Sequence, residues 1–257
     1  MNSETLESKI DVAPKLDFGH IFSESIELFK KVWLQGVLLL IFSIILLIPI
    51  FIIVYAPLLA FVYAQESGTI DFENDAFASG TLSIGLVILV LALIIVVSVV
   101  QTGLIAGFYR ICKDIDHGKE VNSGHFFTFL KKEYFGKILG LSLLTLLISI
   151  VAMALCLIPF IYAFVPLSFI VPIFAFNPQF RISEIVTLAF RLGNKFWLVA
   201  FGLLFIIGVG VGLISQITCG LGGIFLGCFG YLPTYVIYKQ VCGFEDESEI
   251  DQIGESF

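Results

Sequence analysis

The chain has 257 residues, 58% of them hydrophobic and only 14% charged, with a formal net charge of −7. Soluble domains carry about 25% charged residues, so this composition, with a mean hydropathy of +1.03, excludes an ordinary water-soluble domain. The acidic balance and the lack of any basic patch or nucleotide loop exclude nucleic acid as a partner.

Residues 1–17 read as a polar N-terminal tail. The first thirty residues contain Glu4, Glu7, Asp11, Asp17, Glu24 and Glu27 and no apolar h-region, so the first span is expected to serve as an uncleaved targeting signal. From residue 18 the pattern is amphipathic: Phe18, Ile21, Phe22, Phe29, Val32 and Trp33 follow helical spacing, and Glu24, Glu27, Lys30 and Lys31 fall elsewhere on the wheel. The first span follows at about 36–63, with Pro49 and Pro57 expected to kink or break it. An acidic loop over 65–80 leads to the second span at about 82–108. A short amphipathic stretch, Ser123 to Phe135, precedes an apolar run too long for one crossing. Leu157-Ile158-Pro159 divides it into spans at about 138–157 and 160–176, because the residue before a proline is pushed out of helical geometry. A third amphipathic helix, with Ile182, Ile185, Val186, Ala189, Phe196 and Trp197 on one side, leads into spans at about 197–217 and 222–240. Thr218-Cys219-Gly220-Leu221-Gly222-Gly223 supplies the turn between them. Residues 241–257 form an acidic tail.

Charge sorts cleanly on this plan. All 14 Lys and Arg residues lie in segments 1–35, 109–137, 177–195 and 239–257, whereas loop 65–80 carries Glu66, Asp71, Glu73 and Asp75 and no basic residue. Basic residues concentrate on the cytoplasmic side. The expectation is a multi-pass protein of a plasma or inner membrane with both termini in the cytoplasm and the lipid bilayer as its constant partner.

One phrase recurs three times at the basic boundary: Leu28-Phe29-Lys30-Lys31-Val32-Trp33, Phe129-Leu130-Lys131-Lys132-Glu133-Tyr134, and Phe190-Arg191-Leu192-Gly193-Asn194-Lys195-Phe196-Trp197. Basic side chains that snorkel to headgroups, next to an aromatic ring, mark an interfacial helix turning into a span. Lys30, Lys31, Trp33, Lys131, Lys132, Tyr134, Arg191, Lys195 and Trp197 are therefore read as interfacial anchors. Ser23 and Ser183 are read as N-caps of the first and third amphipathic helices. The fold class is all-α: a single six-span membrane domain over 18–240, built as a threefold repeat of interfacial helix plus helical hairpin.

The stretch 157–197, Leu-Ile-Pro-Phe-Ile-Tyr through Ile-Ser-Glu-Ile-Val-Thr-Leu-Ala-Phe-Arg-Leu-Gly-Asn-Lys-Phe-Trp, is similar to a broad group of six-helix bacterial inner-membrane proteins. That group includes the membrane domain fused to some glycerophosphodiester phosphodiesterases. The resemblance covers about 18–240. It implies a bacterial cytoplasmic-membrane location, and it brings no catalytic residue, since the phosphodiesterase domain is absent.

Signs of chemistry are sparse. Ionisable groups inside a bilayer mark proton relays and ion or substrate sites, and the six spans contain none. Gln101 and Gln216 are the candidate intramembrane polar contacts, because an amide in hydrocarbon requires a partner. His117 and His125 lie eight positions apart beside Asp114, Asp116 and Glu120, in what reads as a solvated loop rather than a metal site. Cys156 and Cys219 both fall near outer turns, but free cysteine is a common apolar filler. Gly208-x-x-x-Gly212 and Gly223-x-x-x-Gly227 are read as packing devices of the last hairpin. No metal, cofactor or catalytic residue is assigned. The first functional reading is a non-enzymatic scaffold, assembly or envelope-homeostasis factor, working with a membrane-protein partner or a second copy of itself. The alternative is a facilitator of a small or lipidic solute, not proton-coupled through intramembrane carboxylates. A membrane enzyme, using the 110–125 region, is the third.

Overall fold

The computed structural model describes residues 2–66, 81–121, 123–155 and 157–244, and among these the chain is mostly helical, with no strand. It is an all-α polytopic membrane protein. Among the described residues, six helical segments are long and apolar enough to cross a bilayer: Phe18–Ala56, Val87–Asp116, Lys132–Ala154, Ile158–Phe176, Trp197–Ile217 and Leu221–Cys242. Their outward faces are apolar, as lipid demands: Ile158 is 79% exposed, Leu198 79% and Ile217 82%.

The elements run α1 (Ser3–Val12), α2 (Phe18–Glu66), α3 (Thr81–Asp116), a 3₁₀ turn (Ser123–Leu130), α4 (Lys132–Ala154), α5 (Leu157–Ser168), α6 (Ile170–Phe176), α7 (Ile182–Lys195), α8 (Trp197–Ile217), α9 (Leu221–Leu226), a second 3₁₀ turn (Gly227–Tyr231) and α10 (Leu232–Cys242). The chain divides into two compact units, Met1–Leu40 with Thr102–Phe257, and Ile41–Gln101. The second unit comprises the far part of α2 and the first part of α3. Many of its described apolar side chains are exposed, Ile52 and Leu59 among them, and Phe51 and Tyr55 stack at 4.3 Å.

Several local features differ from the sequence expectations, each for a physical reason. Residues 1–17, assigned above to a tail, hold helix α1, whose Leu6 and Ile10 are fully buried. The first interfacial helix is not separate from the first span: α2 is continuous, and the assigned helix runs through Pro49 and Pro57 without a break. Neither Ser23 nor Ser183 is an N-cap. Asp17 caps α2 by accepting from the His20 N–H at 2.7 Å, and α7 starts at Ile182, where Glu184 Oε2 accepts from the Arg181 N–H at 2.7 Å.

Breaks do occur at other prolines. α4 ends at Ala154 and α5 begins at Leu157, so Pro159 sits in the first turn of a helix, where a missing N–H costs nothing. The fourth span is divided again at Phe169. Pro172 cannot donate to the Ser168 carbonyl, and Phe169 closes instead onto the Pro166 carbonyl at 3.1 Å. The sixth span is likewise segmented, with Pro233 in the first turn of α10. Between α8 and α9 the chain turns where expected: Gly220 has φ +94°, its N–H donates to the Ser215 carbonyl at 2.7 Å, and Thr218 Oγ1 accepts from the Gly222 N–H at 2.7 Å.

The core of the first unit is built by α7. Ile185, Leu188, Ala189 and Leu192 are fully buried, and its neighbours include α1, α5 and α6. The crossing with α5 is close because Gly193 has no side chain; a Cβ there would stand 2.6 Å from Pro166 Cα. On the last hairpin the two glycine pairs part company. Gly223 packs against Ser215 and Gly227 against Leu40, whereas Gly208 and Gly212 have open space where a Cβ would be. The packing role predicted for Gly208-x-x-x-Gly212 is thus not used among the described residues.

Candidate functional site

The polar chemistry of the first unit gathers at the end carrying the basic residues, in three adjoining groups. Lys239 on α10 organises the first. Its Nζ donates to Glu24 Oε1 of α2 at 3.0 Å and to Asp116 Oδ2 of α3 at 2.7 Å, and the Tyr235 hydroxyl donates to the same Asp116 oxygen at 3.2 Å. Gln240 Nε2 adds bonds to Glu24 Oε2 at 2.7 Å and His20 Nδ1 at 3.1 Å. A charged amine between two carboxylates on different helices fixes three elements at once, and the surrounding cavity of about 450 Å³ is also lined by Glu27 and Lys31.

The second group clasps α1. Lys195 Nζ donates to the carbonyls of Ile10 (2.6 Å), Asp11 (2.8 Å) and Ala13 (2.9 Å), a cation on the negative end of the helix dipole. Arg191 pairs with Glu7 and, at 3.1 Å, with Asp11. Lys9 Nζ reaches the Cys242 carbonyl at 2.9 Å, tying α1 to the end of α10.

The third group surrounds a cavity of about 430 Å³, within the size range of small-molecule sites. Arg110 Nε donates to the Ala175 carbonyl at 3.2 Å, and its guanidinium lies 5.0 Å from the centre of the Phe129 ring. Lys113 Nζ is 4.7 Å from the centre of the Phe244 ring. His125 Nδ1 is 3.4 Å from Asp114 Oδ2. Buried Asn177 donates from Nδ2 to the Ile173 carbonyl at 3.2 Å and to the Tyr238 hydroxyl at 2.6 Å. Phe176 stacks on Tyr238 at 5.0 Å and meets Phe244 at 4.9 Å.

The anchors read from sequence meet different fates. Lys30, Lys31, Lys131 and Lys132 are exposed, and Trp33 is 44% exposed. Tyr134 packs edge-on against Phe129 at 5.3 Å. Trp197 Nε1 donates to the Tyr162 carbonyl at 3.2 Å, and its ring stacks on Phe201 at 4.8 Å. Arg191 and Lys195 are engaged by α1. Gln216 is exposed on α8, and Gln101 is half-buried in the second unit. The 110–125 region is not one loop: α3 continues to Asp116, which separates Asp116 (held by Lys239) from Asp114 (facing His125), while His117 packs on Phe244 at 5.6 Å. Among the described residues no group of three His, Cys, Asp or Glu side chains is arranged to hold a metal. Cys219 is exposed, and Cys156 lies outside the described residues.

Three polar pairs went unnoticed in the sequence. Asn177–Tyr238 is one. The others are Tyr109 with Thr234 at 2.7 Å and Ser142 donating to Thr102 at 3.1 Å. Each joins residues far apart in the chain, so no local spacing announces it. For α1 a signal existed: Leu6 and Ile10 stand four apart, one helical turn. Comparison with protein-family models, curated proteins and solved structures found no match for this chain.

Proposed function

We propose that the chain is a non-catalytic protein of a bacterial cytoplasmic membrane, with both termini in the cytoplasm, serving as a scaffold, assembly or envelope-homeostasis factor. The observation that carries this reading is how the ionisable side chains are used. Lys239 with Glu24 and Asp116, Arg191 with Glu7 and Asp11, and Lys195 with three carbonyls all fix the chain's own helices. The result is a braced polar platform at the membrane surface, suited to holding a partner. Charge sorting supports the orientation, and the resemblance of residues 157–197 to six-helix bacterial inner-membrane proteins supports the location.

A second reading rests on a different observation. The fourth and sixth spans are discontinuous, at Phe169 and across Gly227–Tyr231, and broken helices form the binding sites of many transporters. Extraction in native membrane discs decides between them. A scaffold co-purifies with a stoichiometric protein partner or as a defined homo-oligomer and mediates no solute flux in liposomes. A partner-free monomer that passes solute in liposomes would overturn the first reading.

A further inference from the structure

The cavity beside Arg110 differs in charge from its neighbour. The Lys239 cavity is lined by three carboxylates, Glu24, Glu27 and Asp116, against Lys31, Lys239 and His20. Among the described residues, the Arg110 cavity has Arg110 and Lys113, with His125 beside them, against the carboxylate of Asp114. It is the one of the two that favours an anion. The donors are also set in advance: Arg110 is oriented by its bond to the Ala175 carbonyl and by the Phe129 ring, so little rotamer freedom remains to be lost on binding. The Tyr238 hydroxyl in the cavity wall accepts from Asn177 Nδ2, a bond that does not use its own proton. Thr128 adds a second hydroxyl to the wall.

Position narrows the ligand. Arg110 and Lys113 lie just past the uncharged run Thr81–Tyr109, and Asn177 follows α6. The cavity therefore sits where the spans leave the hydrocarbon and headgroups begin. Phe176 and Phe244 in its wall offer apolar surface beside the charges. Arginine forks match phosphate oxygens in pairs, and a lysine adds a point charge.

We propose that this cavity binds a phosphate group, with Arg110 and Lys113 as the principal charges and Tyr238 and Thr128 as hydroxyl donors. The phosphate is either the headgroup of an anionic phospholipid or a soluble phosphate monoester. This goes beyond the scaffold reading and stands or falls separately from it.

The test uses the full chain in phosphatidylcholine discs, with binding followed by native mass spectrometry and calorimetry. The probes are dioctanoyl phosphatidylglycerol and glycerol 3-phosphate. At least one probe binds at a single site, and Lys113→Gln and Arg110→Gln each weaken it by about tenfold, the scale of one charge-assisted hydrogen bond. Asp114→Asn tightens it, because the opposing carboxylate is gone. That gain requires a folded protein and so guards against misreading an unfolded variant. Lys31→Gln, in the neighbouring cavity, leaves it unchanged. Phosphatidylglycerol binding that glycerol 3-phosphate does not displace assigns the site to lipid; displacement assigns it to soluble phosphates. The proposal is overturned if neither probe binds, if Lys113→Gln and Arg110→Gln bind as the native chain does, or if Asp114→Asn weakens binding.

Discussion

The docking of α1 can be tested quantitatively, because its energetics are local. Leu6 and Ile10 are the two α1 side chains buried in the bundle, both at 0% exposure. Burying an aliphatic side chain of this size contributes about 1.5–3 kcal/mol, hence roughly 3–6 kcal/mol for the pair. The Arg191 pairs add little, since the side chains of Arg191, Glu7 and Asp11 are 42%, 35% and 53% exposed; such pairs contribute about 0–1 kcal/mol each. The expected perturbation is Ile10→Ser. It removes one of the two apolar contacts and buries a hydroxyl, lowering the docking free energy by about 2–4 kcal/mol. At about 1.4 kcal/mol per factor of ten, the undocked population rises roughly thirty- to a thousandfold. Hydrogen exchange resolved by segment reads this directly: amides of residues 3–12 lose protection by that factor, while those of α8 do not change. Val12→Ser, at a side chain 84% exposed, has no such effect. If Ile10→Ser left α1 as protected as before, or loosened every helix equally, α1 would not be an independently docked element and the argument would fail.

Further substitutions probe the bracing and packing. Lys239→Met leaves Glu24 and Asp116 facing each other, partly buried. The Lys239, Glu24 and Asp116 side chains are 27%, 24% and 15% exposed, so the loss in stability lies between the surface and buried limits, at about 1–3 kcal/mol. Thermal melting in detergent measures it, and Lys239→Met with Asp116→Asn should cost less than the sum of the two single changes; strict additivity would mean the pair does not couple. Gly193→Ala places a methyl 2.6 Å from Pro166 Cα, backbone against backbone, and should lower stability by about 1–3 kcal/mol. Gly208→Ala meets nothing within 4 Å and should leave the melting temperature unchanged or raised, as alanine favours the helix. Equal effects at the two glycines would refute the assigned crossing of α5 and α7.

What could be read from the sequence was whatever the bilayer itself dictates. Hydrocarbon thickness sets the length of each apolar run, which is why an expectation of six spans meets six long apolar helices among the described residues. Gly220 announced its turn because only a residue free of a side chain adopts φ +94° without strain. Hydropathy failed where hydrogen bonding, not polarity, sets the boundary. Arg110 ended the uncharged run and looked like the start of a loop, but the helix continued to Asp116 because its backbone bonds are indifferent to the side chains' charge. Pro49 and Pro57 looked like breaks, yet α2 passes through both, whereas Pro172 marks a real one.

The same distinction explains why the candidate site was invisible beforehand. Arg110, Lys113, His125 and Tyr238 are spread over 129 positions, read from the first to the last, and nothing in their spacing relates them. The fold brings them to one cavity because α3 carries its charges past the apolar zone and α10 returns to the same end. The ionisable groups gather at the ends of the spans, and there Lys239, Arg191 and Lys195 are already occupied in bracing helices. Arg110 is braced too, but by a neutral carbonyl rather than a carboxylate. A carbonyl orients a guanidinium without cancelling its charge, whereas Glu24 and Asp116 offset the charge of Lys239. That difference in partner separates a structural cation from one still able to attract an anion, and it is the physical ground for expecting phosphate in the first cavity and not in the second.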